Sequence, residues 1–203
     1  CISWIILIII YSIFVEQNIE LELYYYILAG VLISIVGFYD DLNELPSFVK
    51  LLLQIFIFFI ISLGENSLIN SFHGVLGIYE LSQLQSILFS LFVFVVIVNA
   101  INLVDGIDGL SASLTLFFLI ITSYFYFESN YYYNYLVLSF CLSLSVFLFF
   151  NYSVKKKIFL GDTGSLGLGL CIAVLSLGYL NTDHPTYNLF PINQSLFVVL
   201  MLA

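Results

Sequence analysis

Charge is what this chain has least of. Only 8% of its 203 residues are charged; four are lysines, and none is arginine. Hydrophobic residues make up 62%, and the mean hydropathy is +1.13. A soluble domain of this length could not hide that much apolar surface, so the composition excludes one and implies an integral membrane protein. Cysteine is also scarce. Cys1, Cys141 and Cys171 all lie in apolar runs without metal-ligand spacing, and read as small hydrophobes facing lipid or other helices. The two histidines, His73 and His184, read as ordinary loop residues. The net charge of −9 says little about nucleic acid in such a chain, and none is expected as a partner.

A basic n-region and a small-residue cleavage site are missing from residues 1–15, so these read as a truncated span rather than a signal peptide. The chain opens on Cys1 and stops at Ala203 inside an apolar run, and is expected to be an internal piece of a longer protein. The apolar runs are continuous rather than alternating, which points to helices and away from a barrel. Eight spans are expected, at 1–15, 23–39, 48–63, 87–104, 109–127, 132–151, 164–180 and 194–203, the first and last cut short. The fold class is therefore an all-α polytopic helix bundle forming one integral membrane domain over 1–203.

If the chain crosses at each span, segments 40–47, 105–108 and 152–163 share one side. Lys50, Lys155, Lys156 and Lys157 all fall there, which makes that side cytoplasmic by the positive-inside rule. Asp40, Asp41, Glu44, Asp105, Asp108 and Asp162 fall there too. Every aspartate except Asp183 is on this side, although three separate loops supply them.

Three short motifs hold these acids. In GFYDDLNELPSFVKLLLQ (37–54), two adjacent carboxylates end a span, Pro46 suits the start of the next helix, and Lys50 and Gln54 share one helix face. An acidic pair is badly placed at a helix C-terminus, where the dipole is already negative, which favours a metal- or proton-handling pair over a solvated helix end. In NAINLVDGIDGLSAS (99–113), Asn99, Asn102 and Asp105 recur every three residues, and Gly106 and Gly109 allow a tight reversal. In KKKIFLGDTGSLGLGL (155–170), Asp162 opens a helix whose Gly164, Gly167 and Gly169 permit close approach, and whose first N–H groups could receive an anion. The three lysines serve topology and lipid headgroups, or also attract phosphate. Oxygen ligands of this kind suit Mg²⁺ or Mn²⁺ rather than zinc. Together they describe a membrane-embedded, Mg²⁺-dependent enzyme acting on phosphate esters.

DDL at 40–42, NAINLVDGIDGL at 99–110 and FLGDTGSL at 159–166 resemble, in order and spacing, the polyprenyl-phosphate N-acetylhexosamine-1-phosphate transferases. NLVDGIDGL looks closer to the WecA/TagO branch than to MraY, and HGVLGIYEL (73–81) is similar to an outer β-hairpin of the family. The resemblance implies transfer of N-acetylhexosamine-1-phosphate from a UDP-sugar to undecaprenyl phosphate, with release of UMP. This would be the first membrane step of a cell-surface glycan pathway, at the cytoplasmic face of the plasma (inner) membrane. It implies Asp40 and Asp41 as the acidic pair, Asp40 being the base for the lipid phosphate. Asp162 would be the main Mg²⁺ ligand and Asn102 the second. Asp105 and Asp108 would shape the nucleotide-sugar site with Asn99, Gly161 and Gly164, and Lys50 would face a phosphate. The family's His-rich cytoplasmic motif has no match here, as expected if the chain stops before it. A cation-coupled transporter is disfavoured because the acids sit at one end of the spans rather than near the midplane. A CDP-alcohol phosphotransferase, whose motif looks like DGxxAR, is disfavoured by the lack of arginine.

Overall fold

The computed structural model describes residues 21–64, 67–126 and 131–181. Six helices follow one another: α1 (Leu21–Asn43), α2 (Ser47–Ile61), α3 (Gln83–Val104), α4 (Leu110–Tyr126), α5 (Tyr131–Asn151) and α6 (Gly161–Asn181). The all-helical class is as expected, but the described residues hold six helices and not eight spans. The expected spans 1–15 and 194–203 lie outside them, as do Cys1, Asp183 and His184. By length and apolarity, Tyr24–Asn43, Gln83–Val104 and Gly161–Leu180 can cross a membrane, while Ser47–Ile61, Leu110–Ser123 and Val137–Asn151 are shorter apolar helices.

The helix ends follow from local chemistry. Leu45 precedes Pro46, whose ring disfavours helical geometry in the residue before it, and Glu44 has φ +44°. The chain thus turns in three residues, and Pro46 (φ −56°) sets up the first turn of α2. α3 begins four residues earlier than the apolar run because the Gln85 side chain accepts hydrogen bonds from the Ser82 N–H (3.0 Å) and hydroxyl (2.8 Å).

α6 is the central helix, and it packs most extensively against α3 and α1. Most of its apolar length is buried, whereas most of that of α3 is not. Small residues make this approach geometrically feasible. A Cβ on Gly169 would stand 2.7 Å from Val98 Cα of α3, and one on Gly37 of α1 would stand 2.5 Å from Thr163 Cα. One apolar core joins α6 to α1, α2 and α3 through Ile33, Phe58, Phe94, Val98, Leu166 and Leu170. A second joins its other flank to α4 and α5 through Ala112, Leu119, Leu144, Leu168 and Ile172. Phe92, Val96 and Leu103 of α3 and Phe48, Leu52, Phe56 and Phe59 of α2 point outward, as lipid-facing side chains do.

At the end of the bundle away from the motifs, Ser90 accepts the Ile69 N–H (2.7 Å), and a His73 ring nitrogen lies 3.1 Å from the Leu180 carbonyl oxygen. The β-hairpin expected over 73–81 is absent, and no strand occurs among the described residues. A single antiparallel bridge pairs Ser71 with Glu80 around a 3₁₀ turn at Val75–Gly77. His73, Gly74, Leu76 and Gly77 all have φ between +51° and +86°, so the backbone curls where a hairpin strand would extend.

Candidate functional site

The three motifs meet at one end of the bundle. Asp40, in the last turn of α1, is 4% exposed. It forms an ion pair with Lys50 of α2 and accepts the Leu45 N–H at 2.7 Å. Lys50 Nζ also lies 3.7 Å from Oδ2 of Asp162 in the first turn of α6. The other oxygen of Asp162 accepts from the Asn102 amide nitrogen of α3, which also reaches Ser165 Oγ at 2.8 Å. Four helices thus meet in a single polar cluster, to which α6 gives both Asp162 and Ser165.

Asp41 points elsewhere from its neighbour. Its Oδ1 accepts the Asp162 N–H at 2.7 Å, and its Oδ2 accepts the Thr163 N–H at 3.1 Å and the Thr163 hydroxyl at 2.6 Å. The anion expected at the start of α6 is therefore a side chain of the protein itself. A carboxylate poorly placed at the negative end of α1 finds the positive end of α6. Gly161 permits this with φ +68°, and a Cβ there would lie 3.0 Å from both Asp41 oxygens.

The asparagine series on α3 fans out instead of forming one wall. Steps of three residues rotate by about 60° each, so each side chain meets a different neighbour. Asn99 exchanges amide hydrogen bonds with the buried Gln54 of α2 (2.6 and 3.3 Å) and donates to Val95 O at 2.8 Å. Asn102 faces α6, and Asp105 accepts from Ser111 Oγ of α4 at 2.5 Å. Burial pushes the half-buried Asp105 carboxyl above its ordinary range, and the charges of Asp162 and Asp41 push the same way against the Ser111 hydrogen bond. Asp108 is exposed and ion-paired with Lys157, whose ammonium lies 5.0 Å from the Phe159 ring centroid. This links the α3–α4 turn to the α5–α6 loop, as does Tyr152, whose hydroxyl sits where a Cβ on Gly109 (φ +67°) would stand. Gly164 packs beneath Leu160.

The sequence brought Asp40, Lys50, Asn102 and Asp162 to attention, and the structure gathers them. It holds Asn99 one turn deeper, against Gln54, and Asp108 at the exposed rim. Ser111, Thr163 and Ser165 were not singled out; their only signal was proximity to the motif aspartates.

Among the described residues, no three His, Cys, Asp or Glu side chains form a ready-made metal cage. Mg²⁺ does not need one, because it is commonly held by one or two carboxylates with water and substrate phosphates. The donors present are hard oxygens. Asp40 and Asp162 share one ammonium, that of Lys50, and Asp105, raised first by burial, also feels the charges of Asp162 and Asp41. This mouth fits a divalent cation.

Residues 23–179 match glycosyl transferase family 4. The chain belongs to this family. Glycosyl transferase family 4 comprises the MraY/WecA-type polyprenyl-phosphate hexosamine-1-phosphate transferases. Among curated proteins, none matches the chain. The family match covers all six helices from α1 to the last turn of α6, and the apolar helices agree with a membrane transferase.

Proposed function

We propose that this glycosyl transferase family 4 member transfers N-acetylhexosamine-1-phosphate from a UDP-sugar to undecaprenyl phosphate, in the manner of the WecA/TagO branch. The observation that carries this reading is the meeting of Asp40, Lys50, Asn102 and Asp162 from four helices at one end of an apolar bundle. An oxygen of the lipid phosphate attacks the β-phosphorus of the donor, the bond from that phosphorus to the UMP oxygen breaks, and UMP leaves. Lys50 is placed to meet phosphate oxygens, since its ammonium already bridges two carboxylates. A phosphate drawing Lys50 away would leave Asp40 free to take the proton of the lipid phosphate. Asp162 would hold Mg²⁺ with Asn102, whose amide nitrogen makes both of its side-chain hydrogen bonds and so leaves its carbonyl oxygen for the ion. The ion, for which Mn²⁺ could substitute, would neutralise charge on the diphosphate. Asp105 borders the nucleotide-sugar side, and the lysine-bearing rim faces the cytoplasm of the plasma (inner) membrane.

The test uses the full-length protein in detergent with undecaprenyl phosphate and a panel of UDP-sugars, scored for UMP. UMP release that requires the lipid phosphate, Mg²⁺ and an N-acetylated sugar is expected. No release from any donor, with ion flux into liposomes instead, would replace this reading with a transporter.

A further inference from the structure

We infer that Asp41 is a positioning residue: it caps α6 and thereby holds Asp162, a role different from that of its neighbour Asp40. The hydrogen bonds of the cap stand on their own, and only the consequence for turnover rests on the transferase reading above. Both carboxylate oxygens are engaged by the first turn of α6, at 2.7, 3.1 and 2.6 Å, and two of the three donors are backbone N–H groups that have no partner within a helix. A cap normally comes from the residue just before the helix. That position is unsuited here, because α6 starts at Gly161, whose left-handed backbone (φ +68°) brings the chain into the helix beside α1. The cap therefore comes from residue 41, 121 positions upstream of the first N–H it binds. Two observations show that the approach is built in. Gly37, one turn before Asp41 on α1, has no room for a Cβ against the Thr163 backbone, and Gly161 has none to spare against the Asp41 oxygens. Asp40 shares none of this, being engaged by Lys50 and the Leu45 N–H. The adjacent acids thus divide the work: one carries charge beside the ammonium, and the other fixes the backbone from which Asp162 projects.

The test compares Asp41→Asn, Asp41→Ala and Gly161→Ala in the full-length protein. Hydrogen exchange of the Asp162 and Thr163 amides is read first, and UMP release second. Asparagine keeps a carbonyl acceptor for the Asp162 N–H, so near-native protection of that amide and turnover within about tenfold of wild type are expected. Alanine at 41 should speed exchange at both amides about tenfold and lower turnover about a hundredfold. Gly161→Ala should reproduce both losses although the carboxylate is still present. Unchanged protection in Asp41→Ala would overturn the cap. Asparagine as inactive as alanine, with protection intact, would overturn the positioning role and put Asp41 in the chemistry. If the wild-type protein releases no UMP, the transferase reading fails while the exchange measurement still decides the cap.

Discussion

Asp105 stands just past the last turn of α3, half-buried, with one hydroxyl partner and two neighbouring negative charges. A carboxyl whose native pKa is raised stabilises the fold fully below its unfolded value, near 3.8, and loses that contribution as pH rises through the raised native value. At neutral pH its ionisation therefore works against folding. Asp105→Asn should melt at a higher temperature than wild type at pH 7, and the difference should vanish as pH approaches 4. A melting series in detergent checks this, and no gain at pH 7 would contradict it. Asp162, beside Lys50 and hydrogen-bonded by Asn102, is tested by turnover instead of by melting. Asp162→Asn should lower UMP release by at least about 10²–10³-fold, the usual cost of removing a charge-stabilising group from a site. The protein should still elute as wild type does, and full turnover in that variant would remove Asp162 from the mechanism.

Between helices, the reciprocal amide pair of Gln54 and Asn99 is the deepest polar contact of the motif region. It lies one turn below Lys50 on α2 and one turn below Asn102 on α3, so it sets the register of two helices that reach the cluster. Asn99→Leu should cost roughly 1–3 kcal/mol, because Gln54 is left buried and unpaired, and Gln54→Leu should cost less, because Asn99 keeps its bond to Val95 O. The double substitution should recover part of this, with a coupling of about 0.6–1.7 kcal/mol, the range measured for hydrogen bonds between membrane helices. Additive losses in unfolding experiments would show that the two amides act separately. These elements also show what sequence can disclose. Apolar runs gave the six described helices to within four residues, since hydrophobic length dominates their formation. The Asp41 cap was not legible, because nothing local links residue 41 to residue 162. The curled loop after His73 was missed because non-glycine residues there adopt positive φ, which composition does not announce.

Among the described residues, α2 runs from the acidic mouth towards the Ser71–Glu80 loop and α3 runs back, so mouth and loop lie at opposite ends of these helices. Val154 and Leu76 are exposed at the two ends, at 99% and 82%. In a background lacking native cysteines, Leu76→Cys should react with an impermeant maleimide in intact cells, and Val154→Cys only after permeabilisation. The reverse pattern would invert the proposed sidedness. The convergence of the three motifs was legible because counting spans needs only hydropathy; which neighbour each polar side chain meets depended on helix rotation, which hydropathy does not fix. Helix α2, with 15 residues, reaches only about 22 Å at ~1.5 Å each. A bilayer's hydrocarbon core is about 30 Å thick. With Phe48, Leu52, Phe56 and Phe59 of α2 turned outward, lipid beside this helix must thin, or the ammonium of Lys50 must lie below the plane of the headgroups. Acyl-chain length thereby becomes a variable of the enzyme, and turnover in proteoliposomes should fall as the lipid chains lengthen.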